Sequence, residues 1–155
     1  MRSTDSATEP APTVEDRSVD HASDVAAIRA LVADVEAGFN TNDPDLLVRP
    51  FIANGSAVNV AGVALTGRAE MRAAAERGLA GPLAGDHARY ELADLVFLRP
   101  DVAVGHKLAR AVTADGELID AEPSMIALYV FVKEGGRWWV AARQNTAIAA
   151  AASGA

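Results

Sequence analysis

The chain contains no cysteine. That excludes a disulfide framework, a thiolate nucleophile and any Cys-based zinc site, and it leaves the redox compartment open. Aromatic residues are scarce: two Trp, two Tyr and four Phe in 155 residues. Each is therefore a candidate for the core or for a binding site. Basic residues are outnumbered, 14 Lys and Arg against 21 Asp and Glu, for a net charge of -7. An acidic surface repels phosphate backbones, so nucleic acid is not an expected partner. No apolar run approaches the roughly 18 to 20 residues of a membrane helix. The first twenty residues carry Arg2, Glu9, Glu15, Asp16 and Arg17 and no apolar signal segment. No membrane association is expected, and the expected location is cytoplasmic.

What is present suits one domain. Half the residues are apolar and 23% are charged, which is the composition of a globular core rather than of a disordered chain. Residues 1–22 are rich in Ser, Thr, Pro, Asp and Glu, and on that basis they are expected to form a disordered tail. The domain is expected over residues 23–148, with a loose tail over 149–155.

Ser23 has the chemistry of a helix N-cap, and Asp24 suits the positive start of a helix. Val25, Ile28, Leu31, Val32, Val35 and Phe39 follow at spacings of three and four, the stripe of an amphipathic helix. Asp43 followed by Pro44 opens a short second helix, ended by Pro50. Residues 57–60 read as a strand with Gly62 in a turn, and residues 68–77 as a third helix closed by Gly78. Residues 78–85 (GLAGPLAG) form a loop. Four strand-like stretches follow over 89–98, 102–113, 125–133 and 138–146. Turns at Pro100, Gly116 and Gly135-Gly136 separate them. Helices first and a strand meander afterwards predict an α+β fold, with the helices on one face of a mostly antiparallel sheet.

Three segments carry a resemblance. They are residues 51–60 with Gly62 (FIANGSAVNV), Leu65-Thr66-Gly67-Arg68 at the start of a helix, and Gly136-Arg137-Trp138-Trp139-Val140. The pattern resembles the nuclear transport factor 2-like superfamily, which includes ketosteroid isomerase-like and SnoaL-like proteins. Asn145-Thr146 after the Trp strand is similar to the SgcJ/EcaC group of enediyne biosynthesis. That group commonly has a histidine where this chain has Gln144. The resemblance covers about residues 24–148. It implies a cone-shaped fold, an interior apolar cavity for a hydrophobic small molecule, a role in polyketide or enediyne-type secondary metabolism, and a homodimer through the outer sheet face. The alternative on the same fold is a non-catalytic ligand-binding or dimerisation module. Ketosteroid isomerases place an aspartate base at the position that falls on Asn59 here. An asparagine offers hydrogen bonds but abstracts no proton.

The candidate catalytic residues are His106, Asn59 and Gln144. His106 is included because histidine trades protons near neutral pH. Against each stands a bland alternative: an exposed strand histidine, a satisfied strand end, a solvated amide. Candidate pocket residues are Phe39, Asn59, Tyr90, Tyr129, Trp138 and Gln144. Strict strand alternation supports part of that set, because an inward Trp138 brings Val140, Ala142 and Gln144 with it. Trp139, Ala141, Arg143 and Asn145 then face out, where Trp139 and Arg143 would suit a subunit contact. Core packing is the plainer reading of Trp138. Carboxylates at Glu91, Asp94, Asp120 and Glu122 are expected at solvated strand ends. The histidines are too scattered for a metal site, and no nucleotide-binding glycine motif is present, so no metal or cofactor is expected.

Overall fold

The computed structural model describes residues 8–149. The elements in chain order are α1 (Ala22–Asn40), α2 (Pro44–Val48), β1 (Phe51–Val58), β2 (Ala64–Thr66), α3 (Arg68–Ala80), β3 (His87–Arg99), β4 (Val102–Val112), β5 (Met125–Glu134) and β6 (Arg137–Ala147). The six strands form one sheet in the order β2-β1-β6-β5-β4-β3. Every neighbouring pair is antiparallel except β1 and β6. The architecture is the expected α+β, with the meander over β3–β6 as read from the turns. β1 starts earlier than expected, at Phe51, and β2 is an additional short strand.

The helices form for local reasons. Ile28, Leu31, Val32 and Val35 of α1 are buried in one stripe against the sheet. Asp43 caps α2, its carboxylate accepting the Leu46 N–H at 3.1 Å, with Pro44 in the first turn. Gly38 is where α1 and α2 touch: a Cβ there would overlap the Leu47 backbone. The Glu70 carboxylate reaches back to the Thr66 N–H at 2.6 Å and closes the start of α3. Gly135 and Gly136, at φ 60° and 76°, make the β5–β6 hairpin turn that right-twisted strands favour.

Two corrections concern the N-terminus. The helix starts at Ala22, so Ser23 lies inside it and caps nothing, while Asp24 turns inward and is buried. Part of the segment expected to be disordered is docked. The Asp16 N–H donates to the Phe97 carbonyl at 2.6 Å, and His21 stacks on the Phe97 ring at 3.8 Å. Residues 1–7, and all of the expected C-terminal tail except Ala149, lie outside the described residues.

Two β-bulges set which side chains face the helices. In β6, Val140 pairs with Phe131 and Ala142 with Val130, leaving Ala141 as the extra residue. In β3, Leu92 pairs with Lys107 and Asp94 with His106, leaving Ala93 extra. Each extra residue reverses the alternation beyond it. At the β3 bulge the chain also comes close to β4: a Cβ on Gly105 would lie 2.5 Å from the Asp94 carbonyl oxygen. Only glycine fits there.

The interior has two ends. Phe97, Ala103, Phe131 and Trp138 close the narrow one with the docked His21. At the other end β4 presents the small Ala109 and Ala111, with Val112 at its tip, and they leave space that no side chain fills.

Candidate functional site

That space is a cavity of about 530 Å³ between α1, α3 and the concave face of the sheet. Its volume lies within the range typical of small-molecule sites. The wall is mainly apolar, with Val35, Phe39, Leu65, Met71, Leu79 and Met125 among its residues. The titratable residues in the wall are Asp86 and His87, the former exposed and the latter half-buried, together with Tyr90 and Arg143.

The bulge at Ala141 determines the polar chemistry. Before it, Trp138 and Val140 face inward, 3% and 0% exposed. After it, the inward residues are Arg143 and Asn145, both in the cavity wall, and Gln144 is exposed on the opposite face. The expected inward Gln144 and outward Arg143 are thus exchanged. Arg143 Nε and Asn145 Oδ1 are buried and have no hydrogen-bond partner. The guanidinium sits over the Phe51 ring, 5.3 Å from its centre. Arg143 is in no ion pair among the described residues.

Lys107 lies deeper, on the inward face of β4, only 2% exposed. Its amine stands 3.7 Å above the centre of the Tyr90 ring. Burial, and then the charge of Arg143, pull its pKa down to about 7 against the opposing pull of Glu36. Glu36 itself accepts the Tyr90 N–H at 2.6 Å. Burial raises the pKa of both tyrosines, Tyr90 and Tyr129, so each is a neutral phenol. The Tyr129 hydroxyl is fully buried with the Arg143 guanidinium beside it, whose charge opposes that rise, but the contact falls short of hydrogen-bond geometry.

The other sequence candidates fall in several places. Phe39, Asn59 and Tyr90 line the cavity. Asn59 has committed its amide oxygen to a turn, accepting the N–H groups of Ala61 and Val63, both at 3.0 Å. Tyr129 is in the core, stacked on Phe131 at 5.4 Å. Trp138 is at the narrow end, its indole N–H donating to Asp24 at 2.8 Å. His106 is on the outer face of the sheet, half-exposed, with Asp94 at 2.9 Å. His106, Trp138 and Gln144 therefore share no site. None of the sequence-based site candidates is Lys107, Arg143 or Asn145; strict alternation places the last two on the outer face, and the structure turns them inward. The small inward residues Ala103, Gly105 and Ala109 around Lys107 were the available signal for the first. Nothing local marks the bulge that turns in the other two. Among the described residues no three His, Asp or Glu side chains are grouped to hold a metal ion.

Residues 20–144 match the SnoaL-like domain family. The chain belongs to that family. Solved structures similar to it include a cystatin-like-fold domain of unknown function from Nostoc punctiforme. The identity is 21%, the match covers 83% of this chain and 80% of that one, and the TM-score is 0.73. A ketosteroid isomerase-like protein from Erwinia carotovora atroseptica is 18% identical over 83% of this chain and 99% of the other, with a TM-score of 0.65. A putative scytalone dehydratase from Novosphingobium aromaticivorans is 18% identical over 82% and 85%, with a TM-score of 0.64. No functionally curated protein matches the sequence. At these identities the structural likeness establishes the fold: a cystatin-like, nuclear transport factor 2-like domain whose curved sheet stays unclosed. No helix among the described residues is long and apolar enough to cross a membrane.

Proposed function

We propose that this SnoaL-like chain takes a hydrophobic small molecule into the cavity between α1, α3 and the sheet. The observation that carries the reading is about 530 Å³ of mostly apolar space, created by Ala109 and Ala111. Polyketide-like metabolites have the size and apolar character the space accepts, which fits secondary metabolism in the cytoplasm. Asn145-Thr146 keeps the similarity to the SgcJ/EcaC group. A neutral naphthyl ketone dye such as prodan is expected to bind saturably at one site per chain with blue-shifted emission. Ala111→Trp or Ala75→Trp, each filling the space from its wall, is expected to weaken that binding at least tenfold without unfolding the protein. Absence of saturable binding, or binding indifferent to both substitutions, refutes the cavity as a ligand site.

A binding role without chemistry is favoured by one specific feature. Asn59 stands where isomerases have their base, and its oxygen is already held by two backbone N–H groups. The acid/base side chains nearest the ligand space are Asp86 and His87 in its wall. If the chain is an enzyme, His87 is the group positioned to move a proton.

The same reading includes a homodimer through the outer sheet face. Val96 and Leu128 are 40% and 45% exposed there. Trp139 stands on the same sheet with the Arg137 guanidinium stacked 4.1 Å from its ring. Sedimentation equilibrium is expected to give twice the chain mass, and Leu128→Glu the single mass. A native chain that sediments as a monomer at tens of micromolar removes the dimer.

A further inference from the structure

Burying an arginine without a counter-ion is costly, because the guanidinium gives up water and receives no carboxylate in return. Proteins tolerate the arrangement where the missing partner comes from outside. Arg143 is partly buried and meets that description at one nitrogen. Its Nε is buried and unpartnered, its ring contact is with Phe51, and it is in the wall of a cavity with an apolar body. Two residues further along β6, on the same face, Asn145 also has an unpartnered buried oxygen. An amide presents either its carbonyl or its NH₂ to one spot by a half turn, so Asn145 can supply a second donor beside Arg143.

We infer that the ligand of this cavity carries one anionic oxygen group, a carboxylate or an enolate conjugated to an apolar ring system, and that Arg143 with Asn145 receives it. The inference rests on the cavity reading proposed above and specifies its substrate class. The planar guanidinium suits a planar, delocalised oxyanion, because two N–H groups can meet two oxygens or one oxygen and its conjugated neighbour. The groups that bear on the site are consistent with it. Lys107, about half protonated at pH 7, adds partial positive charge behind Tyr90. Glu36 opposes it, yet its carboxylate is engaged by the Tyr90 N–H and forms no ion pair with Arg143. Asp86 is exposed, where water and salt screen it. The net charge of -7 is spread over the surface and screened over about 8 Å at physiological ionic strength. The local cation therefore decides what the cavity prefers.

The test uses matched pairs that differ only in charge, each displacing prodan from the native protein at pH 7. One pair is 2-naphthoate and 2-naphthamide, for the carboxylate. The other is 2-hydroxy-1,4-naphthoquinone, which is ionised at that pH, and its neutral 2-methoxy ether, for the enolate. At least one anion is expected to bind ten or more times tighter than its neutral partner. The pair that shows the preference identifies the head group. In Arg143→Met the ratio of anion to neutral affinity is expected to fall to within twofold, whatever the absolute affinity of the neutral probes. Because Nε has no partner to lose, the variant is expected to melt no lower than the native chain; Arg143→Gln replaces it should Met prevent folding. Equal affinity within both pairs overturns the inference while prodan binding leaves the cavity reading intact. A preference that survives in Arg143→Met also overturns it. Failure of prodan and all four probes to bind overturns both.

Discussion

Lys107→Met is expected to melt about 6–12 °C above the native chain at pH 7, taking about 2–4 °C per kcal/mol for a domain of this size. The amine is 2% exposed and its pKa falls from 10.5 to about 7, chiefly through burial. Holding it there costs on the order of 5 kcal/mol below pH 7, and the face of Tyr90 returns about a third of that, leaving about 3 kcal/mol for methionine to recover. Methionine keeps the length and the flexible apolar stem. The pH dependence separates this cause from better packing. Between about 7 and 10.5 the unfolded chain holds the Lys107 proton and the folded chain has lost it. The unfolded state then binds more protons, so native stability rises with pH across that window. The penalty is complete below 7 and absent above 10.5. The gap between variant and native melting temperatures should therefore be widest in acid and narrow steadily toward pH 10. A variant that melts lower than the native chain at pH 7, or a gap independent of pH, would show that the amine is well solvated or paired where it lies.

The parts of this fold that depend on neighbours in sequence were legible, and those that depend on partners in space were not. The α1 stripe, the Asp43-Pro44 cap and the Gly135-Gly136 turn are written in residues a few positions apart, and each forms as expected. The cavity wall at Phe39, Asn59 and Tyr90 follows from the same local order once the sheet curls over the helices. The bulge at Ala141 has no such signature. It exists because β6 must match β5 on one side and β1 on the other, and one inserted residue exchanges Gln144 for Arg143. Trp138 was a reasonable pocket aromatic by alternation. The carboxylate that claims its indole N–H lies 114 residues away, on α1. The docking of Asp16 and His21 was hidden by composition, because a polar segment gives no hint that two carboxylates will hold its imidazole flat against one aromatic ring.

Asp24→Ala should cost about 3 kcal/mol, which for a domain of this size is a drop of about 6–12 °C in Tm. The buried carboxylate accepts from Trp138 Nε1 at 2.8 Å, His21 Nδ1 at 2.9 Å and Lys133 Nζ at 3.2 Å. Its removal leaves the indole N–H buried and unpaired and releases one of the two anchors of His21. The other anchor is Asp16 Oδ2, at 2.7 Å from Nε2. Phe97 lies between, stacked on His21 and edge-on to Trp138 at 5.7 Å, so the narrow end loosens as a unit. Burial works against the Asp24 charge, but the hydrogen bonds from Trp138, His21 and Lys133 outweigh it and lower its pKa below 3.8. The bond to Asp24, opposed by burial and reinforced by Asp16, raises His21 above 6.5. The hydrogen bond from Ser18, opposed by burial and aided by His21, lowers Asp16. The signs then follow. A raised histidine contributes stability that is complete below pH 6.5 and lost as pH rises through its higher folded value. The lowered carboxylates contribute stability that is present above about 3.8 and lost as pH falls through their folded values. The cluster is strongest between those limits, so the margin by which the native chain out-melts Asp24→Ala should shrink from pH 6 to pH 8, the rise that Lys107 contributes being common to both. Asp24→Asn, which keeps an acceptor for the indole but not the charge, should lie between the two in Tm. An Asp24→Ala protein that melts within about 2 °C of the native chain, less than 1 kcal/mol for a domain of this size, would mean that the cluster holds nothing together.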